Sequence, residues 1–176
     1  MAAECRVFFA LWPDDEVAQQ LDEAGRKARE SLGGRSMRRE TLHLTLAFIG
    51  GIAPERLVAL QAIAGTIRLP PFSLLFDRLQ CIPRKKIAWA STSVQSPGLM
   101  ELAAILHAQL KAAGFRTEAR PFATHVTLLR NAVCETYPRD ESLHIEWPVR
   151  DFVLVESELR PEGARYHVIQ RWQLDG

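Results

Sequence analysis

No apolar run in this sequence is long enough to span a bilayer. The one early stretch, Val7 to Trp12, breaks off into Pro13, Asp14, Asp15 and Glu16, whereas a helical span needs ~20 apolar residues. It also lacks the basic leader of a secretory signal, so the expected compartment is the cytoplasm, with no membrane association. Charge of one sign is missing too. Lys and Arg number 22 against 21 Asp and Glu, a net charge of +1, which excludes a protein held on long nucleic acid by bulk charge alone but leaves a compact charged substrate open. Cysteine is scarce: Cys5, Cys81 and Cys134 are odd in number and far apart. They match neither a disulfide frame nor a zinc knuckle, and are expected as reduced, half-buried thiols. No low-complexity linker divides the chain, so residues 1–176 are expected to form one domain, and a monomer.

What is present is a chain of ordinary apolar content, sufficient for a core. Cys5 to Leu11 reads as a buried strand, and Asp14 as the N-cap of a helix with Asp15 and Glu16 in its first turn. Gly33 and Gly34 stop that helix. After the basic loop Arg35, Arg38 and Arg39, Leu42 to Phe48 alternates as a strand does, closed by Gly50 and Gly51. Pro54 opens a second helix ending near Gly65. Phe72 to Ile82 and Ile87 to Ser93 flank Pro83–Lys86 as a hairpin. A third helix lies between Pro97 and Gly114, and Phe122 to Leu129 returns to strand. Val149 to Val155 and Tyr166 to Trp172 are the last strands, joined through Pro161 and Gly163.

One pattern recurs. Leu42-His43-Leu44-Thr45-Leu46 returns as Thr124-His125-Val126-Thr127-Leu128, each time after a strand and an amphipathic helix. Residues two apart on a strand share a face, so each copy sets an imidazole beside a hydroxyl on one face and apolar side chains on the other. A lone strand histidine most often does no more than satisfy a nearby carbonyl. A matched pair with matched flanks calls for a shared role. Metal ligation is one, but catalytic zinc wants three protein ligands and no third His, Cys or carboxylate sits at ligand spacing near either strand. Neither a metal nor another cofactor is expected. Concerted acid–base chemistry is the other, since imidazole titrates near ~6.5 and can both give and take a proton at neutral pH. That suits phosphodiester cleavage, with the hydroxyls of Thr45 and Thr127 donating to the non-bridging oxygens.

On these paired His-x-Thr motifs, with Phe8-Phe9-Ala10 and Pro13, Leu42 to Gly50, Pro121-Phe122, Arg130, Ser157-x-Leu159, Gly163, Tyr166 and Trp172, the chain resembles the two-histidine phosphoesterases. Within them it is most similar to the RNA 2′,3′-cyclic phosphodiesterases, also called 2′-5′ RNA ligases. Thr41 and Thr124 depart from the commonest family pattern at the motif edges. The resemblance implies an α+β, bilobal, pseudo-symmetric fold with two antiparallel sheets around a central cleft and helices outside. It implies that His43 donates a proton to the leaving 3′ oxygen, that His125 accepts the proton of water, and that Thr45, Thr127 and Arg130 bind the phosphate. Strict alternation puts Arg130 on the face opposite His125, so its assignment requires the strand to end or bulge. The implied partners are RNA ends or small cyclic nucleotides. The basic loops Arg35–Arg39 and Arg84–Lys86 are either part of the cleft rim or ordinary solvated turns. His107, His144 and His167 lack the motif and are read as structural. The resemblance also implies a reversible, ATP-independent 2′-5′ RNA ligase activity, in which a 5′ hydroxyl takes the place of water. Two alternatives stand: an RNA-end or nucleotide-binding module without turnover, and a diesterase for 2′-5′ oligonucleotides or another cyclic phosphate.

Overall fold

The computed structural model describes residues 4–118, 121–135 and 140–176. Strand β1 (Cys5–Leu11) leads into helix α1 (Asp15–Leu32), which starts where Val17 N–H donates to Asp14 Oδ1 at 2.9 Å. Val17, Leu21, Ala28 and Leu32 form its buried face. Gly33, with φ of 60°, ends it. The short strand β2 (Arg35–Ser36) and a 3-10 turn (Arg39–Thr41) precede β3 (Leu44–Ile52). Then come α2 (Leu57–Gly65), the hairpin of β4 (Phe72–Ile82) and β5 (Ile87–Ser91), and α3 (Pro97–Ala112). Four strands finish the chain: β6 (His125–Arg130), β7 (Asp140–Val149), β8 (Asp151–Arg160) and β9 (Gly163–Gln173).

Two antiparallel sheets result, one ordered β3-β1-β8-β9 and the other β2-β6-β5-β4-β7. The fold is therefore α+β and bilobal, as the resemblance implied. The motif strands β3 and β6 come from different sheets and approach each other across the cleft. The lobes are not successive halves of the chain. The repeat is a strand-helix-strand unit, β1-α1-β3 and β5-α3-β6, and each helix reaches across to the other sheet. α1 packs behind β5, β6 and β7, while α3 packs against β3 and also touches β4 of its own sheet. Gly25 lies at the first contact, where a Cβ would stand at an ordinary van der Waals distance, 3.4 Å, from Leu128 Cβ. In the second, His107 Nε2 donates to Leu46 O at 3.0 Å and Nδ1 accepts from Thr117 Oγ1 at 3.3 Å. That histidine ties α3 to β3.

Three readings from sequence are corrected. Gly50 and Gly51 do not close β3 but lie within it. Ile49 is the extra residue of a bulge between the pairs Val7–Gly50 and Phe8–Phe48, and Gly50 beside it has φ of 88°. Residues 140–149 form β7, an edge strand with Ile145, Trp147 and Val149 alternately buried. Finally, Cys81 and Cys134 are not free thiols. Cys81 on β4 meets the segment that follows β6 and forms a disulfide with Cys134, with Cα atoms 5.5 Å apart. A separation of 53 residues hides this neighbourhood until the β4-β5-β6 order is known. Among the described residues, Cys5 alone is a free thiol. Among them, too, no helix is long and apolar enough to cross a membrane.

Candidate active site

His43 stands just ahead of the paired part of β3, and His125 opens β6. In each case Nδ1 faces the carbonyl two residues upstream: Thr41 O at 2.7 Å for His43 and Ala123 O at 3.0 Å for His125. A carbonyl only accepts, so Nδ1 carries the proton and Nε2 is the free nitrogen of both rings. Both histidines line one cavity of about 350 Å³ together with Thr45, Thr127 and Arg130. The sequence-derived residues are thus brought together without exception.

Arg130 reaches this face because β6 bulges. Ala88 pairs with Leu129 and Trp89 with Thr127, leaving Leu128 as the extra residue. Leu128 and Leu129 are both buried, and the alternation resumes one step late, turning Arg130 to the side of His125. The same device acts in β3. Phe9 pairs with Ala47 and Ala10 with Thr45, so Leu46 is extra, Leu46 and Ala47 are both buried, and Phe48 takes the place that Arg130 takes in the other lobe. The two-fold pattern therefore extends through six residues of each strand and ends in an asymmetry, a cation against a ring.

Sequence reasoning missed the aromatic setting of the histidines. Trp12 lies parallel to the His43 ring at 5.2 Å, Phe8 stands tilted by 35° at 5.0 Å, and Tyr166 from β9 meets it edge-on at 5.1 Å. Phe8 and Tyr166 belonged to the resemblance but carried no assigned role, and only the β1-β8-β9 order brings them to one ring. His125 has a single such neighbour among the described residues, Trp89 at 4.3 Å. Burial pushes His43 down to about 4, helped by the charges of His125 and Arg130 and opposed by the Thr41 carbonyl. His125 is lowered as well, first by burial and then by Lys85, with the Ala123 carbonyl opposing. Both imidazoles are neutral near pH 7 in the empty cleft, and a bound phosphate supplies the negative charge that favours their protonation.

That sets the pH dependence. An acid must be protonated and a base neutral in the same turnover, so kcat/KM, which reports the free enzyme, follows a bell. With His43 near 4 and His125 below its ordinary ~6.5, its maximum falls on the acid side of 6.5. The bound anion raises both values, so the optimum of kcat lies at higher pH than that of kcat/KM. Steady-state profiles of both constants test this, and coincident or flat profiles contradict it.

His144 and His167 lie outside the cleft beside Glu146 and Glu158. Among the described residues no three His, Cys, Asp or Glu side chains converge as metal ligands do. The family model of LigT-like phosphoesterases matches residues 11–89 and 92–166. The chain belongs to this family. This LigT-like phosphoesterase is 32% identical over 174 residues to the RNA 2′,3′-cyclic phosphodiesterase of Escherichia coli (strain K12), covering 99% of both chains. It is 30% identical over 181 residues to that of Thermus thermophilus, covering 97% of this chain and 91% of the relative. It also superposes on the crystal structure of E. coli LigT complexed with 3′-AMP with a TM-score of 0.87 and 32% identity, over 97% of this chain and 98% of that one.

Proposed function

We propose that this protein is an RNA 2′,3′-cyclic phosphodiesterase that opens the ring to a 2′-phosphomonoester, and that it works as a cytoplasmic monomer without a metal. The observation that carries the reading is the pair of Nε2 atoms, each freed by an Nδ1–carbonyl bond, facing one cavity with two threonines and an arginine. His125 Nε2 takes the proton of water as its oxygen bonds to phosphorus. The P–O3′ bond breaks on the far side, and protonated His43 gives its Nε2 proton to the 3′ oxygen. Thr45, Thr127 and Arg130 stabilise the charge that builds on the non-bridging oxygens. Both protons then re-equilibrate with solvent. The enzyme of E. coli, at 32% identity over nearly the whole chain, bears the same activity in its name.

The test is hydrolysis of a nucleoside 2′,3′-cyclic phosphate after exhaustive chelation. The expected result is an unchanged rate and a 2′-phosphate product. Loss of activity that zinc or manganese restores contradicts the acid–base reading, and binding without turnover selects the alternative of a nucleotide-binding module.

The cleft continues from Arg130 along a groove bordered by Arg35, Arg38 and Tyr166, and on toward Arg160 and Arg165. Arg38 Nη2 is held by Ala164 O at 3.1 Å. This groove lies on the His43 side, where the nucleotide bearing the ring must sit, and fits the phosphates of the RNA chain behind it. Arg35→Ala with Arg38→Ala is expected to raise KM for an oligonucleotide about tenfold or more at moderate salt and to leave a mononucleotide within about twofold. Equal effects on both substrates refute the track.

A further inference from the structure

The two histidines are held unequally. His43 packs against the rings of Phe8, Trp12 and Tyr166. Trp89 is the one ring neighbour of His125 among the described residues, with ring centres 4.3 Å apart and planes tilted by 35°. The bond from Nδ1 to Ala123 O, at 3.0 Å, fixes one atom of the His125 ring. A single hydrogen bond does not fix a plane. The plane is set by what packs on the ring, which here is Trp89. Trp89 in turn has room to swing, for it lines a cavity of about 600 Å³ that opens beside His125 and Thr127. Whatever anchors Trp89 therefore also steadies His125.

The anchor comes from the next strand. Gln80 on β4 is paired with Trp89 on β5, and on β6 the partner of Trp89 is Thr127 and that of Ser91 is His125. Cross-strand partners share a face, so these side chains run in one row across the sheet to the cleft. Gln80 Oε1 accepts from Trp89 Nε1–H at 3.2 Å and from Ser91 Oγ–H at 2.8 Å. One oxygen thus ties the ring that packs on His125 to the residue paired with His125. Ser91 is buried, so its hydroxyl needs that acceptor as well. Gln80 itself borders neither cavity of the cleft. We infer that Gln80 is a positioning residue for His125: through Trp89 and Ser91 it fixes the plane in which Nε2 meets the attacking water. This role rests on the acid–base reading given above. A catalytic group misplaced by ~1 Å can cost ~10²-fold in rate, so a small swing of the Trp89 ring is enough. The cost falls on turnover and not on binding, because Gln80 touches no substrate.

Steady-state hydrolysis of a nucleoside 2′,3′-cyclic phosphate tests this, with folding of each variant checked by circular dichroism. Gln80→Leu keeps bulk and removes the acceptor, and is expected to lower kcat about tenfold with KM within about twofold. Gln80→Glu keeps an oxygen for both donors and is expected to restore kcat to within about threefold of wild type. Trp89→Phe keeps a ring beside His125 but loses the tethered N–H, so its kcat is expected to fall as in Gln80→Leu. It decides the matter if the orphaned Ser91 hydroxyl unfolds Gln80→Leu. A double-mutant cycle separates positioning from support of the fold. In a His125→Ala background Gln80→Leu is expected to cost no more than about twofold, since no base is left to misplace. Equal losses with and without His125 overturn the role, as does a loss in Gln80→Glu equal to that in Gln80→Leu. An unchanged kcat in the folded Gln80→Leu or Trp89→Phe variant overturns it too. A rise in KM at constant kcat makes Trp89 a wall of the substrate site, and the role is again wrong. All these failures require an active wild type. A wild-type enzyme with no turnover removes the acid–base reading itself, and the positioning role with it.

Discussion

His125→Ala is expected to lower hydrolysis of a nucleoside 2′,3′-cyclic phosphate by ~10²–10⁴-fold, and to stay equally impaired when the leaving oxygen is made easy to expel. His43→Ala is expected to show a defect of similar size on the natural substrate and to regain most of it with a 3′-thio or nitrophenolate leaving group. The geometry of the two rings is nearly the same, since each donates Nδ1–H to a carbonyl and presents Nε2. What distinguishes them is the work. A better leaving group needs no protonation, which replaces an acid, while nothing about it activates water. Rescue of His125→Ala alone would show the acid and base exchanged, and equal rescue of both would mean that neither is a dedicated proton donor.

The second large effect is one of folding. Gly34 has φ of 77°, and a Cβ on it would lie 2.5 Å from Arg130 O and 2.8 Å from Asn131 O. The left-handed conformation alone costs a non-glycine residue ~1–2 kcal/mol. Two backbone oxygens in contact with a new methyl group cannot swing aside as a side chain can, so Gly34→Ala is expected to destabilise by about 3 kcal/mol in chemical denaturation. Relief requires the end of β6 to move, and Arg130 is its last residue, so turnover should fall as well. Gly114→Ala is the control. Its φ is 75°, but nothing lies within 4 Å of the added Cβ, and only the backbone cost of ~1–2 kcal/mol applies. Equal losses in the two variants would show that the contact with β6 is unimportant.

Much of the framework was legible because it is local. The bounds of β1 and β4, the cap at Asp14, and the hairpin at Pro83–Lys86 follow from periodicity and turn chemistry within a few residues. The His-x-Thr pairs were legible because a strand fixes what lies two residues away. Arg130 was on the boundary, since the sequence shows the need for a bulge while only the pairing of β5 with β6 shows that Leu128 supplies it. β7 was readable in principle from the alternation of Ile145, Trp147 and Val149. Pro148 and the charges around it speak against a strand, and they are tolerated because this strand is an edge. The disulfide, the rings around His43 and the exchange of helices are set by sheet order, which no local pattern encodes.

That exchange of helices also governs how the protein is born. As the chain leaves the ribosome, β1 meets β3 early, but its other edge waits for β8, nearly the whole chain later. At ~5–20 residues per second this leaves it unpaired for on the order of ten seconds or more. α1 is made next, yet the strands it covers, β5 to β7, follow long after it. Neither lobe can therefore ripen as a nascent unit. The two must close in one late event of high contact order, and a prematurely terminated chain would leave the apolar face of α1 and an open strand edge exposed for aggregation rather than a working half.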